Sequence, residues 1–318
     1  MRLEDSPYAF VRTRVMYSLL LKKADYEKLL HMNYADISYY LAQHQYRQEM
    51  EELATKYEDI ELIEHALAKN LLRTMEKLAR IYPPSYESVL QTYLLRYDVE
   101  NIKTIARGIV SGKDTGHLLL PVGQIKESHA KATSLDALWS SLPVQYRQLP
   151  HGTLAEAESS LDRYMHDYVI EFAKTLPAQA NIFAQFFKDT VEMTNIITLL
   201  RLRRDGVDEA QIKKHLFLSH TTPVLKALLD NPNTQVQQLQ RYDIEVDNLD
   251  SLIPVEVQLY RRLYHRMMQS HRSNPDTVAV VLSFLFAKEM EFRNLRTLAK
   301  GKHFGLDTEE IKEYLVIG

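Results

Sequence analysis

Three carboxylates and three cations recur at fixed spacing along this chain of 318 residues. Asp98, Glu192 and Glu291 each stand three residues before an asparagine, Asn101, Asn195 and Asn294. Six residues beyond each asparagine stands a base: Arg107, Arg201 and Lys300. Carboxylates repeated in this way could form an ion-carrying or catalytic ring, and the bases could line a pore. At about 100° per residue, Asp98 shares a helix face with Ile102, Ile105 and Ile109, with Asn101 at its edge. The acid therefore lies on the apolar side, where a carboxylate is costly unless paired and hydrogen-bonded. A packing network that fixes how helices dock accounts for this better than a ring of reacting groups, because polar residues repeated with a scaffold usually belong to it. Arg12, Arg14 and Arg96 are the expected partners of the acid. The three bases point about 180° away, a direction open to solvent, a partner or a central channel.

Other chemistry finds little support. Neither GxxxxGK[ST] nor GxGxxG occurs, and HExxH and GxSxG are absent, so no nucleotide cradle, zincin helix or nucleophile elbow is expected. Glu61 with His65 and Asp162 with His166 have helical i,i+4 spacing, which reads as surface pairing before metal ligation. No cysteine is present, which removes disulfides, thiolate metal sites and thiol nucleophiles. The nineteen tyrosines, with clusters at Tyr39-Tyr40 and Tyr260…Tyr264, read as core and interface rings. No catalytic residue, metal ligand or cofactor is expected. A net charge of −3 argues against nucleic-acid binding through phosphate contacts. The opening Met1 to Pro7 has no apolar signal region, and the longest apolar run, Val278 to Ala287, is ten residues interrupted by Ser283. About 20 are needed to span a bilayer, so membrane association is expected only through a partner.

The elements that must position these groups are helices. Nine glycines and eleven prolines stand among abundant Leu, Ala, Glu, Lys, Arg and Gln, and no segment alternates as a strand would. The expected class is all-α. The motif Asp98-x-x-Asn101-Ile102-x-Thr104 returns as Glu192-x-x-Asn195-Ile196-x-Thr198 and as Glu291-x-x-Asn294-Leu295-x-Thr297. Eleven residues after each asparagine comes a glycine, Gly112, Gly206 or Gly305, where a left-handed residue can close the helix. Ser85 after Pro83-Pro84, Asn181, and Asn274-Pro275-Asp276 are the expected starts of the motif helices. An earlier helix repeats too: Glu64-x-x-Leu67, Glu158-x-x-Leu161 and Glu256-x-x-Leu259. One supersecondary unit is thus used three times, with expected boundaries 1–117, 118–216 and 217–318. Asn231-Pro232-Asn233 is the expected loop tip, followed by Leu142-Pro143 to His151-Gly152.

The stretch Tyr93-Leu94-Leu95-Arg96-Tyr97-Asp98-Val99-Glu100-Asn101-Ile102-Lys103-Thr104-Ile105-Ala106-Arg107-Gly108 resembles the signature of the C-subunit family of archaeal and bacterial A/V-type ATP synthases, whose eukaryotic relative is the d subunit of the vacuolar proton pump. Tyr8-Ala9-Phe10-Val11-Arg12-Thr13-Arg14 and the segment Phe187 to Arg203 are similar to the same family, and the resemblance covers essentially the whole chain. It implies a funnel of three helical units around a pseudo-threefold axis. It implies a rotor adaptor without an active site, which joins central-stalk subunits to the membrane ring of proteolipid subunits at the cytoplasmic face. Proton or sodium transport would then belong to the complex, not to this chain. A free helical-repeat adaptor that binds partner helices or peptides is the competing reading, although such repeats run to about 30–50 residues. A helical hydrolase using Glu, Asp and His is the third, and it requires a deep pocket with shifted pKa values.

Overall fold

The computed structural model describes every residue except 1, 2, 5, 121, 178–180, 219, 220, 274–276 and 318. Among the described residues there is no strand, and the protein is all-α. The chain divides into two compact units that cut across the sequence repeats: residues 1–9 with 68–181, and residues 10–67 with 182–318.

The first unit is built on α5 (Asp59–Ile81, from residue 68 onward), α6 (Glu87–Ser111) and α9 (Leu154–Thr175). A single 3-10 turn, Pro84–Tyr86, precedes α6, which therefore starts two residues later than Ser85. Helix α6 is packed along α9, and the short α7 (Leu135–Ser141) and α8 (Val144–Arg147) cover the assembly with Leu138, Trp139, Leu142 and Tyr146. Leu142 and Tyr146 are fully buried, so the expected tip at 142–152 is anchored at these two residues, with Val144 exposed between them.

The second unit contains α1 (Pro7–Ser18), whose first three residues fall in the other unit. It also contains α2 (Lys23–Leu30), α3 (Tyr34–Gln43), α4 (Arg47–Leu53), the start of α5, and α10 (Asn181–Arg204). Next come α11 (Glu209–His215), α12 (Pro223–Asp230), α13 (Gln235–Arg241), α14 (Ile253–Ser273), α15 (Thr277–His303) and α16 (Thr308–Glu313). Residues Val278 to Ala287 are all buried, which is the pattern of a helix enclosed on all sides. Helix α15 is packed against α14 and α3, and α16 against α2. A further cluster around Ile196, Leu199, Leu225, Leu228, Leu239 and Ile244 joins α10 to α12 and α13. Asn231-Pro232-Asn233 is an exposed turn, and the expected cap at 274–276 lies outside the described residues.

All three motif helices close in the same way. Gly112, Gly206 and Gly305 have φ of 66°, 75° and 74°. The amide after each glycine donates back to the helix, Lys113 to Gly108, Val207 to Leu202 and Leu306 to Gly301, each at 2.9 Å. This is the Schellman closure, which satisfies carbonyls that the helix end would leave open.

Candidate functional site

The three asparagines make one repeated bond. Asn101 Nδ2 donates to the Leu120 carbonyl at 2.8 Å, and the Leu120 N–H returns to Asn101 Oδ1 at 3.0 Å. Asn195 pairs in both directions with Phe217 at 2.9 Å, and Asn294 with Val316 at 2.8 Å. Each buried side-chain amide thus takes the place of a neighbouring backbone. It satisfies both polar groups of a residue beyond the helix stop, and so ties the outgoing chain to the helix it has just left.

The acids are less uniform. Asp98 Oδ1 accepts from the backbone N–H groups of Gln124 at 2.6 Å and Ile125 at 3.1 Å. Burial pushes its carboxyl above the usual range, although those two N–H groups oppose the shift. Glu192 accepts from the Thr222 hydroxyl, the N-cap of α12, and burial raises its pKa against that bond. Glu291 has three donors: Leu21 N–H at 2.6 Å, the Tyr46 hydroxyl at 2.6 Å and Lys288 Nζ at 2.7 Å. Burial, and then the Glu291 carboxylate, push the Tyr46 hydroxyl well up, which keeps it a donor.

None of the three acids pairs with Arg12, Arg14 or Arg96. Arg14 donates to the His271 carbonyl, Arg96 lies over the rings of Tyr93 and Tyr97, and Arg12 is exposed. Backbone N–H groups and hydroxyls do the work assigned to arginine. They satisfy a buried carboxylate without bringing in a second charge to desolvate. Among the described residues Glu291 alone of the three is paired with a cation, Lys288 of its own helix.

The bases and the repeated glutamates of the earlier helix meet across the copies, a link that motif reading alone missed. Arg107 pairs with Glu158 at 2.6 Å, and Lys103, one turn before it, pairs with Asp162 at 2.5 Å. In the third motif the same two positions, Arg296 and Lys300, hold Glu64 at 2.6 and 2.8 Å. Burial opposes ionisation of Glu64, but Lys300 and Arg296 outweigh it and hold the carboxyl below its ordinary range. The second copy breaks the pattern. Ile197 replaces the first cation, and exposed Arg201 pairs with no acid among the described residues. Glu256 binds Arg293 instead, at 2.9 Å, and the link between α10 and α14 runs from Asp189 to Arg266 with the charges reversed. The signal was present in the sequence: cations four apart on the motif helix, and glutamates in register on the earlier helix.

Among the described residues, no group of three His, Asp or Glu side chains could hold a metal ion. Asp162 serves Lys103, His166 contacts Asp167, and His65 stacks on Tyr57. A cavity of about 840 Å³ in the second unit is lined by Tyr17, Tyr26, Tyr264, Met268, Arg272 and Glu291. Both carboxylate oxygens of Glu291 already accept from protein donors, a poor arrangement for a general base. What the repeated residues can do is mechanical: fasten helices to one another and to the segments that follow.

The ATP synthase (C/AC39) subunit family matches residues 9–314 of the chain. The A-type ATP synthase C subunit of Methanosarcina mazei is 32% identical, covering 98% of this chain and 92% of its own length. The proteins of the same name from Archaeoglobus fulgidus and Haloferax volcanii are 27% and 25% identical, each over 98% of this chain and 96% and 97% of their own. With the match running through all three motif helices and nearly from end to end, the chain belongs to the ATP synthase (C/AC39) subunit family.

Proposed function

We propose that this chain is the non-catalytic rotor adaptor of a rotary A/V-type ATP synthase or ATPase. It would couple central-stalk subunits to the proteolipid ring, peripheral to the membrane on its cytoplasmic face. The observation that carries this reading is the nearly full-length match to proteins named as C subunits of A-type ATP synthases. The geometry supports it physically. A part that transmits torque must resist shear between helices, and here fixed asparagine bonds and charged clasps occupy the places where a catalytic constellation would be sought.

The clasps also support three quasi-equivalent units, 1–117, 118–216 and 217–318, in cyclic order. Glu158 of the second copy meets Arg107 of the first, and Glu64 of the first meets Lys300 of the third. In these two links an acid of one copy reaches the base of the preceding copy, while the third copy meets the second through Arg266 and Asp189 with the charges reversed. Purification of the tagged chain from gently solubilised membranes tests the assignment. Stalk, catalytic and ring subunits should co-purify in fixed proportion; recovery of the chain alone would overturn it. No helix among the described residues is long and apolar enough to cross a membrane, so attachment falls to those partners.

A further inference from the structure

Helix α1 is held by one side, and its opposite side is apolar and exposed. Thr13 is fully buried, Arg14 donates to the His271 carbonyl at 2.9 Å, and Tyr17 donates to Met268 Sδ at 2.7 Å. These bonds hold α1 to α14. The opposite side carries Val11 at 57% exposure and Val15 at 50%, followed just past the helix end by Leu19 at 58%. Tyr8, one turn earlier on the same helix, is 63% exposed. At about 100° per residue, Tyr8, Val11 and Val15 fall within about 60° of arc. This side of the helix carries exposed apolar side chains.

The charged residues of this helix and of the turn that follows it are of one sign. From Ser6 to Ala24 there are four cations, Arg12, Arg14, Lys22 and Lys23, and no acid. Arg12, Lys22 and Lys23 are exposed. The stripe is narrow: Val11, Val15 and Leu19 follow one another at spacings of four, with Tyr8 three residues before Val11, the form of a helix–helix seam. A membrane-surface helix instead presents a broad face with bulky Trp, Phe and Leu. We infer that the Val11–Val15–Leu19 face of α1 is a docking seam for a helix of another protein, one with an apolar stripe flanked by Asp and Glu. The partner's carboxylates would meet Arg12, Lys22 and Lys23, which set orientation and encounter rate, while the seam excludes water. The inference goes beyond the rotor-adaptor reading and does not need it.

A photo-crosslinking residue at Val15 of the full tagged chain, expressed in its own cells, tests the seam; the same residue at Val144, 68% exposed on α8, is the control. Mass spectrometry of the product should show a peptide of one other protein, with apolar residues three and four apart and acids beside them. Arg12→Glu/Lys22→Glu/Lys23→Glu should leave the melting temperature unchanged and lower capture by about tenfold, the scale of three exposed ion pairs. Crosslinking to lipid, to a second copy of this chain or to a peptide without flanking acids would overturn the inference. So would a yield no higher than at Val144, or capture insensitive to the charge reversal. Subunits that co-purify in the same preparation report on the rotor assignment separately.

Discussion

Two buried carboxylates that look alike in the sequence stand in opposite electrostatic situations. Glu291 and Lys288 are both almost wholly enclosed, and each satisfies the other. Glu291→Met should cost about 3–5 kcal/mol, because it orphans a buried ammonium. Lys288→Met/Glu291→Met should cost less than the single change, and urea midpoints of the three proteins decide the matter. Asp98 forms no ion pair among the described residues, and burial raises its pKa against its two N–H donors and the more distant Lys126. A carboxyl with a folded pKa above its unfolded one stabilises below the unfolded value, and loses that contribution as pH rises through the folded value. Melting of the wild type relative to Asp98→Asn should therefore improve as pH falls from about 7 towards 4. A pH-independent difference would show that ionised Asp98 is not disfavoured.

At the scale of the helix, the stops are the most uniform feature of the fold. A Cβ at Gly112, Gly206 or Gly305 would meet nothing nearby, so the cost of Ala there is the left-handed backbone alone. Each substitution should lower stability by about 1 kcal/mol, measured by thermal unfolding. Gly123→Ala should cost more, since its Cβ would collide with the Asp98 carboxylate. The stops were legible because left-handed backbone demands a particular residue, and glycine stands eleven places after each of the three motif asparagines. The partners of those asparagines were not legible: Leu120, Phe217 and Val316 offer backbone groups, which any residue would supply. Arginine was the expected partner of the acids because it announces itself in a sequence, whereas backbone N–H groups at Gln124, Ile125 and Leu21 do not. The clasps fall between these cases, readable as paired registers on two helices but assignable only once those helices are placed.

For the molecule as a whole, the lack of any spanning helix among the described residues combines with the proposed membrane-ring partner to give a biochemical signature. Alkaline carbonate washing of membranes should release the chain without detergent, as immunoblotting of pellet and supernatant would show. Retention in the pellet would require a hydrophobic anchorage that these helices do not provide. The asparagine bonds have a further consequence, on the timescale of solvent exchange. Leu120, Phe217 and Val316 lie outside every helix, so their amide protons would ordinarily be traded for deuterium within seconds to minutes. Held by Asn101, Asn195 and Asn294, they should instead survive as long as the motif helices that grip them, three slow isotope clocks set in otherwise fast-exchanging chain.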